Sequence, residues 1–129
     1  MLEANRTVLD TIERDVRGKI QGTSAIEGKV VIEEGAEIVD SVVRGPAIIG
    51  AGARVTHAYV GPYTSIGNGC SLEQCEIENS IVLENSTIAN VNGRIEASLI
   101  GKNVKICRTD RKPAAYRFML GDNSEVGIT

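Results

Sequence analysis

The chain has 129 residues, enough for one domain, and carries a net charge of −3 with a pI near 5.2. Apolar residues make up 42% of it, yet aromatics only 3%, and Ile and Val number 15 and 13 against 6 Leu. That balance excludes a disordered chain and argues against a helical bundle, since β-branched side chains lose rotamer freedom in helices; the acidity argues against nucleic-acid binding.

In chain order the first element is LEANRTVLDTIERDV (2–16). Leu2, Leu9, Ile12 and Val16 fall on one side of it at helical spacing, which predicts a short capping or linker helix within 1–17, placed over the base of the domain. From Ile26 a repeat takes over. Aliphatic residues recur at Ile26, Ile32, Ile38, Val43, Ile49, Val55, Val60, Ile66, Leu72 and Ile77, with spacings of 6, 6 and 5 that sum to a period of 17. Val82, Ile88, Ile95, Ile100 and Ile106 continue it less strictly.

Two further registers agree with the first. Two residues before most anchors stands a small side chain, among them Ala36, Ser41, Ala47, Ala53, Ala58, Thr64, Cys70, Cys75, Ser80 and Ser86. In a strand, residues i and i−2 face the same way, so each hexad sends one aliphatic and one small side chain inward. Three residues after the second anchor of each turn stand Gly35, Gly52, Gly69, Asn85 and Asn103, the residue types that accept a left-handed backbone. Folding three hexads into three short sides predicts an all-β, three-sided parallel β-helix of about five to six coils over 18–106. Ile26, Val43, Val60, Ile77 and Ile95 would stack along one interior edge. Cys107–Arg117 breaks the repeat, so 107–119 is expected to be an interrupting loop or cap. Leu120–Val126 resumes the formula, making 120–129 a final hexad.

The outward positions carry the partner signal. Before the second anchors stand Val31, Ile48, Ser65, Ile81 and Leu99, and the large aliphatics Val31, Ile48, Ile81 and Leu99 are expected to form an interface. The row before the third anchors is polar: Glu37, Arg54, Ser71, Thr87 and Lys105.

Catalytic signals are sparse. The Gly-rich stretch Gly45–Gly52 places its glycines at repeat corners, which explains them without a phosphate ligand. Cys70 and Cys75 take the small interior slot, and Cys107 follows an anchor. Three cysteines without CxxC spacing point to a reducing compartment and to no metal site. No apolar run approaches membrane-spanning length and no signal peptide is visible, so a cytoplasmic location without membrane contact is expected. His57, the only histidine, falls where other turns have Asp40, Gln74 and Asn90. A polar corner column accounts for it. The alternative is a general base, with Tyr63 and Asn68 nearby. The basic residues of 102–117, six with Lys102 and Lys105, fit a solvated cap better than a phosphate site.

The hexapeptide pattern resembles the left-handed parallel β-helix family, and the left hand is taken from that resemblance. LEANRTVLD, GPAIIGAG, YVGPYTSIGNGC, EIENSIVLENSTI, LIGKNVKI and LGDNSEV together resemble the C-terminal part of long-form glucose-1-phosphate thymidylyltransferases. The resemblance implies a parent reaction, dTTP plus glucose 1-phosphate giving dTDP-glucose and pyrophosphate with Mg²⁺, housed in a preceding catalytic domain. No part of 1–129 matches that domain's GxGTRLxPLT-type loop, so no catalytic residue, cofactor or metal ligand is carried over. The chain is expected to be either a fragment cut at the domain boundary, which its opening fits better, or a stand-alone relative. The implied role is assembly or regulation, with partners in a homo-oligomer (a trimer, the common hexapeptide arrangement) or the parent catalytic domain. Two alternatives stand beside it: a hexapeptide acyltransferase moving acetyl from acetyl-CoA to an amino sugar with His57 as base, and a non-catalytic scaffold.

Overall fold

The computed structural model describes residues 2–91 and 93–107. Helix α1 (Leu2–Asp10) comes first. It ends where Thr11 donates both its N–H and its Oγ1 hydroxyl back to the carbonyl of Val8, at 3.0 and 2.7 Å. The first turn of the column is then β1 (Asp15–Val16), β2 (Lys19–Gln21) and β3 (Ala25–Glu27). The second is β4 (Val30–Ile32), β5 (Glu37–Val39) and β6 (Val42–Arg44), and the third β7 (Ala47–Ile49), β8 (Arg54–Thr56) and β9 (Tyr59–Val60). The fourth is β10 (Thr64–Ile66), β11 (Ser71–Glu73) and β12 (Glu76–Glu78); the fifth is β13 (Ile81–Val82), β14 (Thr87–Ala89) and β15 (Arg94–Glu96). β16 (Leu99–Ile100) and β17 (Lys105–Cys107) begin a sixth.

Every third strand pairs in parallel, giving three walls. Wall A runs β1-β4-β7-β10-β13-β16, wall B runs from β2 to β17, and wall C from β3 to β15. The predicted anchors stack residue on residue: Ile26 on Val43 on Val60 on Ile77 on Ile95 in wall C, with corresponding columns in A and B. Ile32, Ile38, Val43, Ile49, Val55, Val60, Leu72, Ile77 and Ile88 are fully buried, and the small residues beside them fill the corners. Such a section admits one aliphatic and one small side chain per side at interior packing density. It has no level for a ring.

The corner serines, half-buried at Ser24 and buried at Ser41, Ser80 and Ser86, solve a problem that the corners create. Where a wall bends, one backbone N–H loses its ladder partner, and burial without a partner would cost on the order of 1–3 kcal/mol. Ser24 and Ser41 each accept from the turn above, from Ser41 N at 3.1 Å and Ala58 N at 3.0 Å. Ser80 and Ser86 do the same for Ser98 N and Val104 N, both at 3.1 Å. Gly35, Gly52, Gly69, Asn85 and Asn103 all have positive φ, between 57° and 83°, as their column requires.

Two expectations need adjusting. The column begins at Asp15 rather than 18, because Val16 pairs with Ile32 and Ile20 with Ile38 as interior residues of an extra lowest turn. Helix α1 does not cover the base; its side chains bond to residues of wall A and its corners instead. The expected loop from 108 to 119 and the final hexad 120–129 lie outside the described residues.

Candidate functional site

The outer row of wall A reads Asp15, Val31, Ile48, Ser65, Ile81 and Leu99. The apolar members would be costly in water, and the chain's own helix lies across them. Asn5 accepts a hydrogen bond from Ser65 Oγ and donates Nδ2 to the Tyr63 carbonyl at 3.2 Å. Arg6 donates to Asn79 Oδ1 at 3.3 Å and stacks 3.8 Å from the centre of the Tyr63 ring. Tyr63 donates its hydroxyl to Asp10 Oδ1 at 2.8 Å, and Lys29 Nζ reaches the Asp10 carbonyl at 3.2 Å. These contacts run the helix downward past Tyr63: the Arg6 side chain reaches up to Asn79, beside β13, and Lys29, beside β4, reaches up to Asp10. Leu9, one turn past Asn5, is fully buried by this docking. Ile81 is 9% exposed, and Val31, Ile48 and Leu99 are half-buried. The Tyr63 hydroxyl has its pKa pushed up, the hydrogen bond to the Asp10 carboxylate being the main cause.

His57 sits on the corner between walls B and C. Its column is Gly22, Asp40, His57, Gln74 and Asn90, all with positive φ. Asp40 accepts from the Thr23 N–H at 2.8 Å and from Thr23 Oγ1 at 3.2 Å, which holds its carboxyl below the usual range; His57 adds a smaller push in the same direction. His57 Nε2 lies 3.4 Å from Asp40 Oδ2. Beside them is an open recess of about 460 Å³ lined by Asp40, His57, Tyr59, Gln74, Glu76 and Val91, with other residues. Its upper rim exists because Ile88 and Ile95 are seven residues apart where that corner otherwise takes five. Sequence reasoning missed the recess, although the irregular spacing was its visible signal.

Tyr63 and Asn68 do not line this recess. Tyr63 belongs to the helix docking, and Asn68 accepts from Ala51 N at 2.9 Å at another corner. Cys75 also borders the recess, but burial pushes its thiol up to about 11, which leaves too little thiolate for a nucleophile. Cys70 is raised by burial as well and donates to the Leu83 carbonyl at 3.0 Å. Within Gly45–Gly52, the glycine at 50 is demanded by packing: a Cβ there would stand 2.6 Å from Asn68 N. Lys102 and Lys105 are exposed, and the other four basic residues of that cluster lie beyond the described residues. Among the described residues no group of three or more His, Cys, Asp or Glu side chains could hold a metal ion. No described helix is long and apolar enough to cross a membrane.

No family model matches the chain. Over 128 residues it is 46% identical to the glucose-1-phosphate thymidylyltransferase of Streptomyces antibioticus, which is 99% of this chain and 36% of that protein. Identity to the Streptomyces griseus glucose-1-phosphate thymidylyltransferase is 48% over 129 residues, all of this chain and 36% of that one. The chain matches the C-terminal region of glucose-1-phosphate thymidylyltransferases. It thus spans about a third of the length of these thymidylyltransferases. Among solved structures, the acetyltransferase domain of PglB from Neisseria gonorrhoeae FA1090 superposes with a TM-score of 0.54 at 15% identity, over 90% of this chain and 66% of that one. That likeness is one of fold, the left-handed parallel β-helix.

Proposed function

We propose that the chain serves as the assembly and regulatory β-helix of a glucose-1-phosphate thymidylyltransferase-like enzyme of the cytoplasm. The parent reaction joins dTTP and glucose 1-phosphate, releasing pyrophosphate, with Mg²⁺ bound in a preceding catalytic domain. The observation that carries this reading is the docked helix. α1 brings Leu2 to the upper part of wall A, where half-buried Leu99 continues the apolar row beyond it. A catalytic domain leading into α1 is delivered against that patch, and in a trimer a neighbouring subunit completes the cover. Removing the column from a full-length relative tests this. Loss of the oligomer with turnover per catalytic domain retained in part supports the reading; unchanged mass and unchanged kinetics overturn it.

A second reading is favoured by one observation, the contact of His57 with Asp40 beside a recess. An imidazole oriented by a carboxylate is the arrangement of a general base, here for acetyl transfer from acetyl-CoA to an amino sugar. Turnover of acetyl-CoA that disappears in His57→Ala would establish it. Absence of turnover with a panel of amino sugars would remove it.

A further inference from the structure

The lowest turn is unfinished on its underside. β1, β2 and β3 are the end strands of their walls. Their interior residues Val16 and Ile20 are 37% and 38% exposed, and Ile26 is half-buried, although each stands directly beneath a buried anchor. Arg17, Lys19 and Ala25 donate their N–H upward, to Ile32 O at 2.8 Å, Ala36 O at 2.9 Å and Ser41 O at 3.0 Å. Backbone groups alternate in direction along a strand, so both the N–H and C=O of Val16, Ile20 and Ile26 point down from the column. The underside is an apolar triangle bordered by three strand edges, the arrangement that templates further pairing.

We propose that this underside binds a second copy of the chain, base to base, about a two-fold axis through wall A. A two-fold perpendicular to the column reverses strand direction, so the junction is antiparallel. With the axis through wall A, β1 meets its own copy and β2 meets β3. Val16 then faces Val16 of the second copy and Ile20 faces Ile26, each pair positioned to exchange two backbone hydrogen bonds. The flanking charges decide the axis. Asp15 falls opposite Arg17, and Lys19 opposite Glu27, twice each by symmetry. An axis through wall B would set Asp15 against Glu27, and one through wall C would set Arg17 against Lys19.

The ladders on either side continue in phase. On wall B, Lys19 stands below Glu37, which pairs with Arg54 at 3.4 Å; on wall C, Glu27 pairs with Arg44 at 3.0 Å. Joined across the junction, the signs alternate through Arg54, Glu37 and Lys19, then Glu27 and Arg44 of the second copy. One group opposes closure. Arg14 donates to the Ile26 carbonyl at 3.2 Å and the Gly28 carbonyl at 3.0 Å, occupying the β3 edge in the single chain. Docking displaces it.

Sedimentation equilibrium on the 129-residue chain tests the proposal, with far-UV circular dichroism as the check on folding. The expected result is a particle with twice the mass of the Ile20→Asp variant, so that association through the walls is counted separately. Lys19→Glu alone weakens association about tenfold or more, because two cross-strand pairs become repulsive. Adding Glu27→Lys to it restores the dimer, a rescue that a folding defect would not show. Ile20→Asp separates the two bases, and Arg14→Ala tightens their contact. A monomer at all concentrations overturns the proposal. So does a trimer indifferent to Ile20→Asp, which places association on the walls, or a charge exchange that fails to rescue.

Discussion

Walls A and C share the same interior and differ outside. Both stack one aliphatic residue per level, all fully buried in the middle turns. Outside, wall A carries Val31, Ile48 and Ile81 and lies under α1, whereas wall C carries a charged ladder in which Arg44 and Arg94 flank the Tyr59 ring at 5.8 and 5.3 Å from its centre. Arg94 also reaches Glu78 at 3.3 Å and Glu76 at 4.0 Å. The interior registers thus specify a column, and the outer rows specify which side of it is covered.

Substitutions should separate the two contributions. The largest effect belongs to the shared interior: Leu72→Ala, at a fully buried anchor, should cost about 2–5 kcal/mol in urea unfolding. Leu9→Ala should cost about 2 kcal/mol and act locally, exposing α1 to hydrogen exchange while the column keeps its protection. Tyr63→Phe removes only the hydroxyl bond to Asp10 and should loosen α1 by about 1 kcal/mol. On wall C, Arg94→Ala should change stability by no more than about 0.5 kcal/mol, since its pairs are solvent-exposed. An effect at Arg94 matching that at Leu9 would erase the contrast between the walls.

The smallest effect at neutral pH concerns the interior thiols. An acid whose pKa is raised on folding leaves stability intact below its unfolded value and lowers it as pH climbs through the folded one. Cys75 should therefore reduce stability between its ordinary 9.0 and about 11, and Cys75→Ala should remove that part of the alkaline loss. At pH 8 a thiol reagent should label exposed Cys107 promptly, and Cys70 and Cys75 only after unfolding. Fast labelling of Cys75 in the folded chain would contradict its burial.

The column was legible because its three registers are independent and agree over many turns. The lowest turn was not, because Val16 satisfies two periods: it completes the helical stripe of Leu9 and Ile12, and it also lies beneath Ile32. An apolar stripe states how much of a helix is buried but not against what, so α1 was expected below the column and lies beside it. The same ambiguity affected the outer row of wall A, whose side chains announce a contact without naming the helix that makes part of it. His57 was legible as a member of a corner column. Its recess depends on two extra residues farther along the chain, and no local pattern around position 57 records them.

Stacked columns also govern how such a chain can change length. One residue added inside β11 would turn every following side chain in that strand to the wrong face, whereas the corner before Ile95 absorbs two. Removing residues 50–66 would instead set Gly67 where Gly50 stood and leave all three columns aligned. The molecule is therefore a ruler graduated in whole turns of ~4.8 Å, and the number of turns fixes the distance between whatever is attached at its two ends.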